Sequence, residues 1–491
     1  MVEIARLSQE QEYVATAEES CKVQAFAGTG KSTSLIGYAQ AHPKETILYL
    51  CFNRDNRLQF DSRVKALGLK NTTVNTAHSL AKRFVYGPSN SELTLVGSHS
   101  PTLISNLFES ELYNVAYHNR IFLIYHSQKM LKSFCSSSIR KIQDFDYQDY
   151  TSPDQIYFVN EHYHEIENLT ISIMKGMSNL EMPVLHDYYL KLFQVKNYRI
   201  PYKTILFDEV QDCSPVMIDI VQNQNTKNIY VGDTHQEIYA WRGAVNAFDY
   251  ISMPSLFLTE SFRFGPNIAR VAMHILNWKQ ELIQHRILGK IIGAGPNSSV
   301  KGHAYIARTT VGLLREAIVL VSSNPSIKIR FQGGLQSYLT HELGFTLLDV
   351  YDLFRGKPLF DNRRTAFLQE MSFPELVEYA AHTEDNQITS FIKLCTDFPT
   401  ELPYLIKTLQ QAELLAKDKF DPDVTMSTAH RLKGIEFQEV TIADDFLSRE
   451  ALIRMQQRGM TNTKVNEEIN LLYVAITRAA KDLNLNSLYL T

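Results

Sequence analysis

The chain has 491 residues, 44% of them hydrophobic and 21% charged, with a formal net charge of −4. Such a length exceeds one hydrophobic core and implies roughly two to four domains. The charge excludes a uniformly basic scaffold that coats nucleic acid, though not a locally positive groove.

No apolar run approaches the roughly 18 residues needed to span a bilayer, so no membrane partner is expected. The five cysteines (Cys21, Cys51, Cys135, Cys213 and Cys395) form no metal or redox spacing. The opening MVEIARLSQEQEYVA lacks an apolar core and a cleavage site, so export is not expected. The expectation is an intracellular protein, cytoplasmic if prokaryotic or viral and nuclear if eukaryotic.

In chain order, short β-rich runs alternate with turns and helical patterns. KVQAFAG precedes KSTSLIGYAQAH, TILYLCF precedes NRDNRLQFDSRVKAL, KTILFDE precedes PVMIDIVQNQ, and KNIYVGD follows. The alternation resumes with LFLTESF and a helix from Pro266, KGHAYIAR and a helix from Val311, then IKIRFQGG, DVTMST and EVTIADD. A helix near Glu467–Ala480 and a strand over LNLNSLYL close the pattern. It predicts an α/β fold with parallel sheets.

Two stretches break the rhythm and read as helices, Tyr86 to Tyr198 and Gln336 to Asp421. The expected organisation is therefore two α/β cores, each carrying a mostly helical insertion. The first core spans 1–85 and 198–255 around an insertion at 86–197. The second spans 256–335 and 422–491 around a short insertion at 336–421.

AFAGTGKST lies between a predicted strand and a predicted helix. Small residues let the backbone turn tightly, so the N–H groups of Ala27, Gly28, Thr29, Gly30 and Thr33 can encircle a phosphate at a helix N-terminus. Lys31 would reach the terminal phosphates and the Ser32 hydroxyl would bind Mg²⁺. The general pattern has glycine six positions before the lysine, where this chain has Ala25. ILFDEVQD supplies the complement, an apolar strand ending in carboxylates. Asp208 suits the hold on Mg²⁺ and Glu209 the orientation of an attacking water. Together the two motifs imply nucleoside triphosphate hydrolysis.

GDTHQEIYAWRGA reads as a polar loop, yet it holds Trp241 between Tyr239 and Arg242. Aromatic faces and a guanidinium plane suit the stacking of nucleobases without regard to their identity.

In order, LSQEQ, AGTGKS, TAHS, DEVQD, GDTHQEIYAWRGA, LTESFRF, STAHRLKGIEF and LLYVAITRA resemble the motifs of UvrD/Rep-type superfamily-one DNA helicases. DEVQDCSP, RGAVNAF, SFRFGPNIA and RFQGGLQSY look closest to the helicase core of the F-box DNA helicase family. No F-box and no further C-terminal module are expected. The resemblance implies two RecA-like P-loop cores and the cofactors ATP and Mg²⁺.

It also implies residue roles. Gln11 resembles the glutamine that reads adenine, Phe262 would stack on the base, and Glu436 resembles the carboxylate that holds the ribose. Gln236 would contact the γ-phosphate. Arg263 and Arg478 resemble two arginine fingers, a task that suits a permanently charged guanidinium. Strand contacts would come from Phe52, Asn53, Arg54, His78, Tyr239, Trp241, Arg242, His430 and Lys433.

These implications give an ATP-dependent single-stranded DNA translocase or helicase of 3′→5′ polarity, acting in DNA repair, recombination or replication. Its partners would be single strands and single-strand/duplex junctions, with recombinase filaments or other DNA-bound proteins as further candidates. One alternative is a translocase that strips proteins from single strands with little unwinding. Another is a nucleotide-switched binding subunit, and an RNA substrate stays open.

Overall fold

The computed structural model describes residues 6–87, 93–113, 115–239, 247–296, 300–359, 365–369, 371–417 and 422–490. Six strands form a first parallel sheet: β1 (Cys21–Ala25), β2 (Ile47–Cys51), β3 (Thr72–Thr76), β4 (Thr204–Phe207), β5 (Lys227–Gly232) and β6 (Ser255–Leu258). Their order is β3-β2-β4-β5-β1-β6. β2 and β4 are buried along their whole length. Parallel strands are covered on both faces, which is why these two read as unbroken apolar runs.

β3 escapes that criterion. Its sequence, TTVNT, has one apolar residue, and its place at the sheet edge leaves every residue partly exposed. Its β-branched threonines still suit the pleat. β6 differs from expectation in another way. A turn followed by an apolar run signals a strand but not the sheet it joins. Sequence places this run at the start of the second core, whereas it pairs in register with β1, from Lys22 with Ser255 to Ala25 with Leu258.

A second sheet of five parallel strands contains β7 (His303–Ala307), β8 (Ile329–Phe331), β9 (Val424–Thr428), β10 (Phe437–Ile442) and β11 (Ala479–Asn484). The order is β8-β9-β7-β10-β11. The helix before β11, Asn462–Ile476, ends earlier than the expected Ala480. Thr477 turns its hydroxyl back onto the Tyr473 carbonyl (2.8 Å), and β11 begins two residues later. Of the final stretch that sequence reads as strand, Leu483 and Asn484 close β11, whereas Ser487–Tyr489 form a 3₁₀ turn.

The chain divides into two compact units. The first comprises Met1–Leu80, Arg199–Gly333 and Gln411–Thr491 and contains both sheets. One apolar cluster, including Val23, Leu35, Tyr49, Leu206 and Val231, lies against the first sheet. Another joins Ile306, Val440 and Leu472 to Phe26, Ala27 and Ile238 from loops of the first sheet. Each large side chain fully buried there contributes about 1.5–3 kcal/mol.

The second unit, Ala81–Tyr198 with Gly334–Gln410, brings the two helical stretches into one body. Helix Tyr117–Ser136 meets helix Phe373–Thr383: His126 Nε2 lies 2.9 Å from His382 Nε2, and Tyr125 donates to the Thr383 carbonyl (3.0 Å). Among the described residues, no helix is long and apolar enough to cross a membrane.

Candidate functional site

β1 runs into a loop that ends at Gly30, the N-cap of helix Lys31–Ala41. Gly28 and Gly30 have φ of 75° and 80°, a left-handed conformation open chiefly to glycine. At Gly28 space excludes a side chain as well, and at Gly30 one would displace the Gln11 amide. A Cβ on Gly28 would lie 2.5 Å from Arg263 Cβ, and one on Gly30 would lie 2.3 Å from Gln11 Nε2. Neighbours clamp the loop: Phe262 N donates to the Gly28 carbonyl (2.9 Å), Gln11 Nε2 to the Thr29 carbonyl (3.0 Å), and Ala27 N to the Tyr473 hydroxyl (3.1 Å). The Thr29 hydroxyl closes the turn on the Phe26 carbonyl (2.9 Å), while the Thr33 hydroxyl accepts from Arg63 (3.2 Å).

Facing this loop, Asp208 and Glu209 directly follow β4. Lys31 Nζ lies 3.1 Å from either Glu209 carboxylate oxygen, and the Ser32 hydroxyl lies 3.5 Å from Asp208 Oδ2. Glu209 adopts φ 54°, ψ 44°, a strained region for a residue with a side chain that costs about 1–3 kcal/mol. Surrounding bonds hold it there, from Lys31 and from the Gln211 amide to its carboxylate. Burial pushes Asp208 up, and the neighbouring Glu209 charge adds to this. Burial pushes Glu209 up too, but Lys31 and Lys433 outweigh it and hold the carboxyl down. Two adjacent carboxyls are thus driven apart in acidity, as separate roles require.

The opposite wall comes from the second sheet's side. Arg263 donates from Nε to Glu436 (2.7 Å) and from Nη1 to the Thr477 carbonyl (3.0 Å). Arg478, fully buried, donates from Nη2 to Gln236 Oε1 (3.3 Å) and from Nε to the Val474 carbonyl (3.0 Å). Its Nη1 is buried with no hydrogen-bond partner among the described residues. Burial, then repulsion from Arg263, lowers its pKa to about 9, so it stays cationic at neutral pH. An unsatisfied guanidinium N–H is expensive to bury unless an anion completes it. That orphan donor, the glycine cradle and the Ser32–Asp208 pair fit a nucleoside triphosphate with a divalent cation. Lys31 and Arg478 would take phosphate oxygens, and Ser32 and Asp208 the cation.

Gln236, at the end of a 3₁₀ turn after β5, donates to Asp233 Oδ2 (2.6 Å). Lys433 ties the same turn to the acidic strand end, binding Asp212 (2.6 Å) and the Gln236 carbonyl (2.6 Å). Its ammonium sits 5.4 Å from the Tyr239 ring centroid, and Tyr239 donates to the His430 carbonyl (3.1 Å). Lys433 and Tyr239, expected against nucleic acid, therefore hold the loop internally.

Gln11 and Glu436 are also engaged within the protein. Gln11 is buried, accepting from Ser8 N (3.0 Å) besides its bond to Thr29, and Glu436 holds Arg263. Phe52, Asn53 and Arg54 follow β2, His78 follows β3 and His430 follows β9. These are carboxyl ends of parallel strands, where open α/β sheets bind ligands. Phe52 is half-buried and Arg54 exposed, while Asn53 caps helix Arg54–Ala66 by accepting from Asn56 N (2.8 Å). Trp241 and Arg242 lie outside the described residues.

Five contributors escape sequence reasoning. Tyr49 donates to Asp208 Oδ2 (2.8 Å), and Gln211 Oε1 accepts from Asp233 N (3.0 Å). The Tyr473 hydroxyl lies 3.4 Å from Asp233 Oδ2. Lys279 Nζ lies 3.0 Å from His235 Nδ1. Gln211, Asp233 and Tyr473 fall inside quoted motifs, a signal that could have flagged them; Tyr49 and Lys279 carry no such mark.

Residues 7–250 match the model of the UvrD/REP helicase N-terminal domain, and residues 260–488 that of the UvrD-like helicase C-terminal domain. F-box DNA helicase 1 of Gallus gallus is 29% identical over 494 residues, covering 94% of this chain and 46% of the relative. F-box DNA helicase protein 1 of Schizosaccharomyces pombe is 28% identical over 527 residues, covering 95% and 55%. A probable DNA helicase II homolog of Mycoplasma pneumoniae is 22% identical over 604 residues, covering 95% and 82%. The chain spans about half the length of the two F-box relatives. With adjoining models matched along nearly its whole length, the chain belongs to the UvrD/REP-like helicase family.

Proposed function

We propose that this chain is an ATP-hydrolysing motor that moves 3′→5′ along single-stranded DNA and separates duplex or displaces bound proteins. The observation that carries the reading is the meeting of Arg478 with Gln236, its spare Nη1 buried in the same site as the Lys31–Glu209 pair. A binding module has no need of an unsatisfied buried cation beside a strained carboxylate.

In this reading Lys31 neutralises terminal phosphates, with Ser32 and Asp208 holding Mg²⁺. The cation, when bound, draws charge from the phosphoryl oxygens. Glu209, held ionised by two lysines, leaves Lys31 to orient water. Arg263 and Arg478 stabilise charge developing on the transferred group. Gln11, Phe262 and Glu436 line the base and ribose end. Phe52, Asn53, Arg54, His78, His430, Trp241 and Arg242 line the strand, and Tyr239 with Lys433 join that line to Gln236. Family membership supports the polarity and a place in DNA repair, recombination or replication.

The test is ATP turnover with single-stranded DNA, duplex DNA and RNA in parallel, beside strand-displacement and protein-displacement assays. Stimulation by single-stranded DNA above the other two is expected. Equal rates with and without nucleic acid would remove the motor reading.

A further inference from the structure

Helix Pro266–Ile283 carries a lysine at a place where an apolar residue would be expected. Lys279 is 1% exposed, next to the fully packed Trp278. Its ammonium lies 3.0 Å from Nδ1 of His235, which is also buried. His235 belongs to the turn that carries Gln236, and its own N–H is capped by Asp233 Oδ1 (3.0 Å). The imidazole stacks on Phe26 at the start of the phosphate loop, with ring centroids 5.6 Å apart and planes at 17°. Tyr473, whose hydroxyl binds Ala27 N, meets the same ring edge-on at 6.0 Å.

Burial lowers the Lys279 pKa to about 7, and Asp233 and Glu237 oppose that loss of charge. Burial, then Lys279 and His285, push the His235 pKa well down; a neutral imidazole with its proton on Nε2 accepts the Lys279 donor at Nδ1. Holding an ammonium in this setting is costly, and a methionine of similar shape would avoid the cost. The lysine needs a reason beyond packing.

We propose that Lys279 is a positioning residue for ATP hydrolysis: it holds His235, and through it the Asp233–Gln236 turn, in register with the phosphate loop. It touches no reacting group, since its reach ends at His235. The proposal rests on the motor reading above but concerns a link that the motifs do not include.

The experiment compares Lys279→Met, Lys279→Arg, His235→Phe and the Lys279→Met/His235→Phe double variant with the parent chain. For Lys279→Met, kcat with single-stranded DNA should fall about tenfold or more, the rate equivalent of one charge-assisted hydrogen bond. KM for ATP should stay within about twofold, because phosphate-binding groups are untouched. Lys279→Arg should recover part of the rate. The double variant should be no slower than the slower single, as expected when both changes break one link. Additive losses, or equal effects on kcat and KM, would overturn the proposal.

Hydrogen exchange without nucleotide reads the same link independently of turnover. Amides of 232–239 should lose protection in Lys279→Met while those of helix Lys31–Ala41 keep theirs. Unchanged protection at 232–239 overturns the inference. A parent chain that does not hydrolyse ATP overturns the motor reading instead.

Discussion

Lys433 Nζ lies 2.6 Å from Asp212 Oδ2 and 2.6 Å from the Gln236 carbonyl oxygen, with both charged side chains nearly out of solvent, at 11% and 4% exposure. One cation thus joins the acidic end of β4 to the turn after β5. Burial pushes the Asp212 carboxyl up to about 6, and Lys433 works against that. Removing the lysine leaves a buried carboxyl and a carbonyl unpaired. Lys433→Met should therefore destabilise the fold by about 3–5 kcal/mol. Adding Asp212→Asn should recover part of the loss, because the uncompensated charge goes with it. Denaturant unfolding of the two variants decides the matter. A Lys433→Met protein as stable as its parent, but weaker on single strands, would return this lysine to the nucleic-acid groove.

Glu209 is the carboxylate that Lys31 holds ionised, and its left-handed backbone is maintained at a cost. Glu209→Gln keeps the shape and removes the charge. Turnover should disappear while ATP and Mg²⁺ still bind. Lys31→Ala should weaken both, since it deletes the cation assigned to the phosphates and one of the two lysines that hold Glu209 ionised. Parent-rate hydrolysis by Glu209→Gln would end the assignment of that residue.

Arg263 and Arg478 are placed differently, so their losses should differ in stability but not in chemistry. Arg263 is bonded to Glu436 and the Thr477 carbonyl, whereas Nη1 of Arg478 has no hydrogen-bond partner among the described residues. Each alanine variant should lower the hydrolysis rate by roughly three to five decades. Nucleotide affinity should stay within about tenfold, or 1.4 kcal/mol. Stopped-flow turnover with equilibrium nucleotide binding separates the two quantities. Normal hydrolysis by either variant removes that arginine from the reaction.

Local spacing made one half of this site legible. The glycine loop, the Ser32–Asp208 pair and the Lys31–Glu209 pair each follow a strand, and a strand's end announces itself by a change from apolar to polar residues. Contacts across long stretches of chain leave no such trace. Tyr473 meets Ala27, Lys433 meets Asp212 and Tyr239 meets His430 only because two sheets fold into one unit. Sequence could name the polar residues of these motifs, but could not tell a side chain that faces a ligand from one spent on a neighbour. β6 shows the same limit for the backbone, since its apolar run suits either sheet.

In the helical unit, the two stretches meet at a pair of histidines, and acid should loosen it. Burial first, then His382 and Lys129, lower the His126 pKa to about 3. Burial, then Lys129, lower His382 as well, opposed by Glu378. His126 Nδ1 lies 2.8 Å from the uncharged Tyr147 hydroxyl. An unfolded histidine titrates at about 6.5, within the window of roughly pH 5 to 8 where its charge changes. Between that value and the folded one, the unfolded chain binds more protons. The contribution is therefore complete above about pH 6.5 and lost as pH falls toward 3. Exchange of helix Tyr117–Ser136 amides, corrected for intrinsic rates, should accelerate from pH 7 to pH 5. His126→Phe should flatten that dependence, though it starts less stable because Tyr147 and His382 lose a partner. Parallel slopes in parent and variant would refute the assignment.

The loop after β5 should divide its labour within a few residues. Tyr239 is spent internally, on the His430 carbonyl and under the Lys433 ammonium. Trp241 and Arg242 follow it in a polar stretch whose composition suits stacking on bases. Tyr239→Phe keeps the ring and deletes one hydrogen bond, so it should cost about 0.5–1.5 kcal/mol of stability. Single-strand affinity should barely change. Trp241→Ala should instead spare stability and remove a stacking contact worth about 1–3 kcal/mol per base, roughly 5- to 150-fold in affinity if fully expressed. Trp241→Phe retains a π-face and should recover much of that binding. Arg242→Ala should flatten the salt dependence, by about 0.7 in slope if it neutralises one phosphate. Fluorescence anisotropy on oligonucleotides at several salt concentrations, beside thermal melts, measures all four. If Trp241→Ala lowers the melting temperature and leaves affinity intact, the ring is packing rather than contact, and the strand must be gripped elsewhere.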